Sequence, residues 1–259
     1  MGKVYLVGAG PGDIDLITIK ALKCIEKADV ILYDRLINKE LLNYAKENVQ
    51  LIYCGKRPGF HIMTQEKINQ LLIKYAKQGK DVIRLKGGDP FIFGRGGEEA
   101  AALVDNGVSF EIVPGITSGI AVPAYAGIPV TNRGISSSFA MITCHHQPGE
   151  QDPLDWKSLA KGIDTLAIYM GISNLPYICK QLISFGRSPD TPVAIIHWGT
   201  TTKQHTITGT LSLIVELARK SNIENPSMII VGEVVRFREK LQWFNESQLN
   251  GALVQKAST

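Results

Sequence analysis

The densest chemistry in the chain lies at residues 86–99, KGGDPFIFGRGGEE. Five of these fourteen residues are glycine and one is Pro90, with Asp89, Arg95, Glu98 and Glu99 set between them. Glycine loses the most conformational freedom on folding, so five so close together mark backbone that approaches a ligand or adopts φ > 0. Before the run, VIRL (82–85) reads as a short buried strand. After it, EEAAALVDNG reads as a helix with acids at its positive end and Gly107 as its stop. A glycine-rich turn at the carboxyl end of a strand is where open α/β sheets bind ligands.

A second glycine turn, GAGPGD at residues 8–13, follows the first expected strand, and Asp34 closes the next. That spacing invites a dinucleotide fingerprint, G-x-G-x-x-G with an acid roughly 20 residues on. The third glycine position is occupied by Asp13, with Asp15 close behind. Two carboxylates there would repel a pyrophosphate. The following helix also starts late, near Thr18. What remains is either a plain strand-to-helix turn or an acidic, close-approach loop suited to a ligand without phosphate.

The elements that must hold these turns alternate. Strands are expected at 3–8, 29–34, 49–55, 81–86 and 109–113. Helices are expected between them, from about 17 to 28 and at 38–47, 64–78 and 97–106. This order implies a parallel sheet with right-handed crossovers. Pro114 and Gly115 punctuate that domain, and residues 115–134 read as a small-residue connector. The second half gives strands at 138–146, 165–171, 192–198, 204–210 and 227–235, with helices at 155–160, 174–185 and 211–220. Two strands there follow one another without a helix, so the second sheet is expected to be mixed. The fold class is α/β in two domains, residues 1–115 and 116–244, with a ligand cleft between them and a flexible tail at 245–259.

Totals exclude several classes. A formal net charge of +4, with no basic block, gives no reason to expect nucleic acid and is compatible with a small anionic ligand. Cys24, Cys54, Cys144 and Cys179 are widely spaced without C-x-x-C, which favours reduced thiols in a cytosolic setting. No signal-peptide pattern follows Met1. Residues 119–130 are too short and too broken by Pro123, Gly127 and Pro129 to span a bilayer. A soluble cytoplasmic protein is expected, with no membrane partner.

GAGPGD, YDRL (33–36), CGKR (54–57), KGGDPFIFGRGGEE, VPGITS (113–118), GIPVTNRG (127–134) and YMG (169–171) occur in order. Together they closely resemble the uroporphyrinogen-III C-methyltransferases of the tetrapyrrole methylase superfamily, from about Val4 to Phe244. The resemblance implies S-adenosylmethionine as co-substrate, held folded between two α/β domains and leaving as S-adenosylhomocysteine. It also implies a homodimer and two successive methyl transfers to uroporphyrinogen III, giving precorrin-2 for siroheme or cobalamin synthesis. Because it fills nearly the whole chain, no fused chelatase or dehydrogenase domain is expected.

By matching motif, the co-substrate positions are Pro11, Gly87, Gly88, Asp89, Ile92, Thr117, Ser118, Met170 and Gly199. Asp34 matches the proton acceptor and Lys56 the donor. Arg95, in the loop nearest the co-substrate, is a third catalytic candidate. A polycarboxylate substrate needs cations distributed around a cleft, and Arg35, Arg57 and Arg133, with Lys56 and Arg95, all stand at loop positions. Bidentate guanidinium–carboxylate contact suits that task. Taken singly, each is as readily a solvated surface charge. Likewise Met170 could be core and Gly199 a plain turn.

Two departures stand out. The family's Thr-His-Arg reads Thr131-Asn132-Arg133, and its Thr-Gly-His reads Thr143-Cys144-His145. Asn132 can hydrogen-bond but cannot titrate. Cys144, His145 and His146 lie consecutively, and alternation along a strand prevents all three from ligating one ion, so no metal is expected. Alternatives are a later precorrin methyltransferase, a nicotinamide- or flavin-linked oxidoreductase built on GAGPGD, and a non-catalytic tetrapyrrole carrier.

Overall fold

The structure, a computed structural model, describes residues 2–55, 63–144 and 152–246. The chain divides into two compact units, Met1–Thr117 and Ser118–Thr259.

In the first unit the strands are β1 (Val4–Gly8), β2 (Val30–Tyr33), β3 (Gln50–Tyr53), β4 (Val82–Lys86) and β5 (Phe110–Val113). They form one sheet in the order β3-β2-β4-β1-β5, every pair parallel. Helices α2 (Gln65–Lys77) and α3 (Gly96–Asp105) cover one face through Ile68, Leu72, Ala76 and Leu103, packed on Leu6, Leu32 and Val82. Helix α1 (Ile19–Lys27) covers the other through Ala21 and Ile25, against Val7, Ile31, Ile83 and Leu85. Each leucine, isoleucine or valine among them taken from water contributes about 1.5–3 kcal/mol, which fixes strand register and therefore where each turn emerges.

Helix α1 begins late because Thr18 caps it, its hydroxyl accepting from the amide of Ala21 at 3.1 Å. The helix expected at 38–47 is instead a 3₁₀ segment, Lys39–Tyr44. Asn38 turns the chain by accepting from the Glu40 amide, and only Leu41 is fully buried, too little apolar face to seat an α-helix.

The second unit carries β6 (Phe139–Thr143), β7 (Thr165–Tyr169), β8 (Pro192–His197), β9 (His205–Thr210) and β10 (Ser227–Val231). The order is β6-β7-β10-β8-β9, with β6 and β7 parallel and the other pairs antiparallel, a mixed sheet. Helices α5 (Trp156–Gly162), α6 (Leu175–Ser184) and α7 (Ile214–Lys220) bury one face.

The stretch read as a connector contains a further helix, α4 (Ser118–Tyr125), which packs Val122 against Ala167, Ile196 and Ile230 on the opposite face. Gly119 and Pro123 hid it: proline is tolerated here within a short, buried segment. The last expected strand stops at Val231 because Gly232 turns at φ 147, leading into the 3₁₀ segment Glu233–Phe237 and α8 (Arg238–Leu241). The expected tail is corrected at its start, since Glu246 is bonded to Gln204, Thr206 and Arg238. Residues 247–259 lie outside the described residues.

Candidate functional site

The carboxyl ends of β1, β4 and β5 meet backbone to backbone. Gly10 and Gly88 form an antiparallel bridge, the Gly88 amide donating to the Gly10 carbonyl at 2.7 Å and the Gly10 amide to the Gly88 carbonyl at 3.2 Å. Both glycines have positive φ, 77° and 68°. A Cβ on Gly8 would lie 2.6 Å from the Gly88 oxygen, and one on Gly115 only 2.3 Å from it. The three turns therefore share a cradle that no side chain can enter. Helix α1 leaves β1 for one face while α3 leaves β4 for the other, so the cradle sits at a topological switch point.

Asp89 staples this cradle. Its Oδ1 accepts from the Phe91 amide at 2.8 Å and its Oδ2 from the Gly115 amide at 3.0 Å. Gly87 and Ile92 are half-buried beside it, and Pro11 is half-buried in the β1 turn. Phe93 (φ 50) and Arg95 (φ 59) are left-handed without being glycine, the kind of strain found at functional loops. Arg95 is exposed and grips Glu98 with both ends of its guanidinium, at 2.8 and 2.7 Å.

Beneath the cradle lies a buried ionic cluster. Alternation along β4 points Arg84 and Lys86 to the same sheet face, where α3 supplies Glu99. Arg84 donates from Nε to Glu99 Oε1 at 2.8 Å and from Nη2 to Asp34 Oδ1 at 2.6 Å. Lys86 Nζ and Gln65 Nε2 reach the same Glu99 oxygen at 3.1 and 3.2 Å. Glu99 is wholly buried, and its Oε2 has no hydrogen-bond partner among the described residues. Burial pushes the Lys86 amine below its usual range, Arg84 adding to that and Glu99 opposing it. Burial would also lower Arg84, but Asp34 and Glu99 hold it above its ordinary value. The adjacent Cys54 thiol is pushed up to about 11, chiefly by burial.

In the second unit β7 and β8 both run antiparallel to β10, so their carboxyl ends lie at the same sheet end. Met170 (φ 52) follows β7, and Trp198 (φ 48), Gly199 and Thr200 (φ 65) follow β8. A Cβ on Gly199 would lie 2.4 Å from Val122 Cγ1, so that turn presses on α4. The Tyr169 hydroxyl accepts the Gly119 amide at 2.7 Å in the first turn of α4. Ser118 opens α4, and Thr117 before it is buried.

The structure thus gathers Gly87, Gly88, Asp89 and Ile92 in one turn, with Pro11 in the neighbouring one. Met170 and Gly199 stand together at one end of the other sheet. Arg35 and Arg133 are exposed on separate loops, Arg133 in the turn closed by the Asn132–Ser136 bridge. Lys56, Arg57, His145 and His146 lie outside the described residues. Among the described residues no group of three or more His, Cys, Asp or Glu could hold a metal. No described helix is long and apolar enough to cross a membrane.

Sequence reasoning missed Arg84, Lys86, Gln65 and the inward role of Glu99, which reads from sequence as a solvated helix-dipole acid. The available signal was two cations at alternate positions of a strand central to a parallel sheet, where near-continuous apolar residues are the rule.

Comparison places this geometry in a family. A model of the tetrapyrrole (corrin/porphyrin) methylases matches residues 3–214. The chain is 66% identical over 237 residues to a uroporphyrinogen-III C-methyltransferase of Priestia megaterium, covering 92% of this chain and 100% of that one. It is 62% identical to one of Bacillus subtilis, covering 96% of each. Among solved structures, uroporphyrin-III C-methyl transferase from Thermus thermophilus complexed with S-adenyl homocysteine superimposes with a TM-score of 0.77 at 38% identity, covering 91% of this chain and 99% of that one. The chain belongs to the tetrapyrrole methylases.

Proposed function

We propose that this protein is an S-adenosylmethionine-dependent C-methyltransferase that adds two methyl groups to uroporphyrinogen III, giving precorrin-2. The observation that carries this reading is the 66% identity to a uroporphyrinogen-III C-methyltransferase along that relative's entire length.

The residues fit the co-substrate. Gly8 and Gly115 lie against the Gly88 carbonyl with no room for a Cβ, and Gly10 and Gly88 take positive φ, so these turns present bare backbone, as close approach to a folded nucleoside requires. The acids of the GAGPGD turn are compatible with a ligand that has a sulfonium and no phosphate. We assign Pro11, Gly87, Gly88, Asp89, Ile92, Thr117, Ser118, Met170 and Gly199 to holding it. Asp89 acts mainly by fixing the β4 and β5 turns, since both its oxygens already accept backbone amides. When bound, S-adenosylmethionine supplies an electrophilic methyl for a pyrrole carbon.

The chain's own task is to place that carbon, bind the carboxylates around it and handle one proton per transfer. Arg35, Arg57 and Arg133 bind substrate carboxylates. Asp34 accepts the proton or holds a pyrrole N–H, Lys56 donates, and Arg95 handles substrate beside the glycine turn. We further propose a cytoplasmic location and a homodimer, the latter supported by the exposed aromatics Phe91 and Phe93.

The test is direct. Pure protein incubated with uroporphyrinogen III and S-adenosylmethionine is expected to yield a product heavier by two methyl groups, with the matching absorbance change. No methylated product would remove the reading.

A further inference from the structure

The buried cluster in the first unit is weak evidence of stability, the more so because Glu99 Oε2 is buried without a partner among the described residues. Buried ion pairs exchanged for well-packed apolar side chains are often neutral or stabilising, so their presence calls for another role. Here the cluster runs in one direction. Glu99, wholly buried on α3, holds Arg84 Nε; Arg84, 3% exposed on the central strand, passes its other end to Asp34; and Asp34, 32% exposed just beyond β2, is the most open of the three. Lys86 and Gln65 fasten Glu99 from two more elements. A guanidinium clamped at Nε by a fixed carboxylate cannot swing, so its Nη2 presents a donor in a defined direction.

We propose that Arg84, locked from behind by Glu99, is a positioning residue that fixes the orientation of the Asp34 carboxylate towards the substrate. The inference rests on the reading of Asp34 as the group that handles the pyrrole proton. The charged and titratable groups facing Asp34 within this cluster are Arg84 and, beyond it, Glu99, Lys86 and Cys54. The device acts by geometry. A misplacement on the order of 1 Å at a reacting centre costs about 100-fold in rate.

A double-mutant cycle tests it, read by single-turnover transfer of a radiolabelled methyl group to uroporphyrinogen III so that slow variants remain measurable. Arg84→Lys keeps the charge and loses the two-ended fork. It is expected to lower the methyl-transfer rate by about 100-fold while both KM values stay within about twofold. In the Asp34→Asn background the same substitution is expected to change the rate little, because its effect runs through that carboxylate. Equal losses in both backgrounds, or a rise in KM with the rate unchanged, would overturn the proposal. Glu99→Gln, nearly isosteric, repeats the cycle should Arg84→Lys not fold, as judged by Tm and S-adenosylhomocysteine binding. A wild-type protein that transfers no methyl would instead bring down the functional reading itself. Normal turnover with an additive cycle would bring down only the positioning role.

Discussion

Asp89 and Gly115 are joined across two turns of the first sheet: the Gly115 amide donates to Asp89 Oδ2 at 3.0 Å while Oδ1 takes the Phe91 amide at 2.8 Å. One carboxylate therefore sets the spacing of the β4 and β5 turns. Asp89→Ala strands two backbone donors, and hydrogen bonds to a charged group are each worth about 1.5–3 kcal/mol. The variant is expected to melt several degrees lower and to bind S-adenosylhomocysteine at least about tenfold more weakly. Asp89→Asn keeps one acceptor and should fall between. Calorimetric titration and a thermal melt check both, and unchanged affinity would show that the staple does not shape the site.

The cradle makes a sharper prediction about which glycines matter. A Cβ at residue 115 would collide with the Gly88 oxygen at 2.3 Å, whereas one at residue 97 meets nothing within 4 Å. Gly115→Ala is expected to cost about 1–3 kcal/mol, the range for overpacking, and to abolish measurable S-adenosylhomocysteine binding. Gly97→Ala, in the first turn of α3, should leave binding intact and raise stability by about 0.5–1 kcal/mol. Equal effects of the two would refute the close-approach account.

Acid stability has a local origin at the sheet edge. Glu111 bonds Lys20 and Lys3, each at 2.5 Å, and these pairings push its carboxyl down from 4.5 to about 2. A depressed carboxylate contributes stability that is present above its unfolded value and lost as pH falls through the folded one. The contribution should therefore fade between about pH 4.5 and 2. Denaturant melts across that window are expected to be less steep in pH for Glu111→Gln than for wild type, with the two curves parallel above pH 6. A wild-type slope unchanged by the substitution would show that the exposed pairs contribute nothing.

How much of this was written plainly in the chain differs from residue to residue. The parallel first sheet was legible because strand and helix periods alternate cleanly, and the glycine turns because glycines crowd where Gly8, Gly94, Gly96 and Gly115 leave no room for a Cβ. The late start of α1 was legible in Thr18, a good cap eight residues past Gly10. Helix α4 was not, because burial against β7, β8 and β10 overrides the poor propensity of Gly119 and Pro123. Nor was the inward turn of Glu99. Its neighbour Glu98 does face solvent and pairs with Arg95, and only the three-dimensional meeting of β4 with α3 separates the two acids. Isolated charges in a sequence look like surface until their partners, thirteen and more positions away, are known.

Glu246 anchors the end of the described chain. Its carboxylate accepts from Gln204 Nε2 at 3.0 Å, the Thr206 amide at 3.1 Å, the Thr206 hydroxyl at 2.7 Å and Arg238 Nη2 at 3.1 Å. Arg238 in turn donates to the Ala126 carbonyl at 2.7 Å, so the anchor ties β9 and α8 to the end of α4. Glu246→Ala leaves a guanidinium at 11% exposure without its carboxylate, a loss of about 2–3 kcal/mol on the scale of charge-assisted hydrogen bonds. Truncation after residue 245 is expected to lower the Tm below that of truncation after residue 246 by as much as Glu246→Ala lowers it. Thermal melts of the three proteins decide. Equal stability of both truncations would mean the anchor holds nothing.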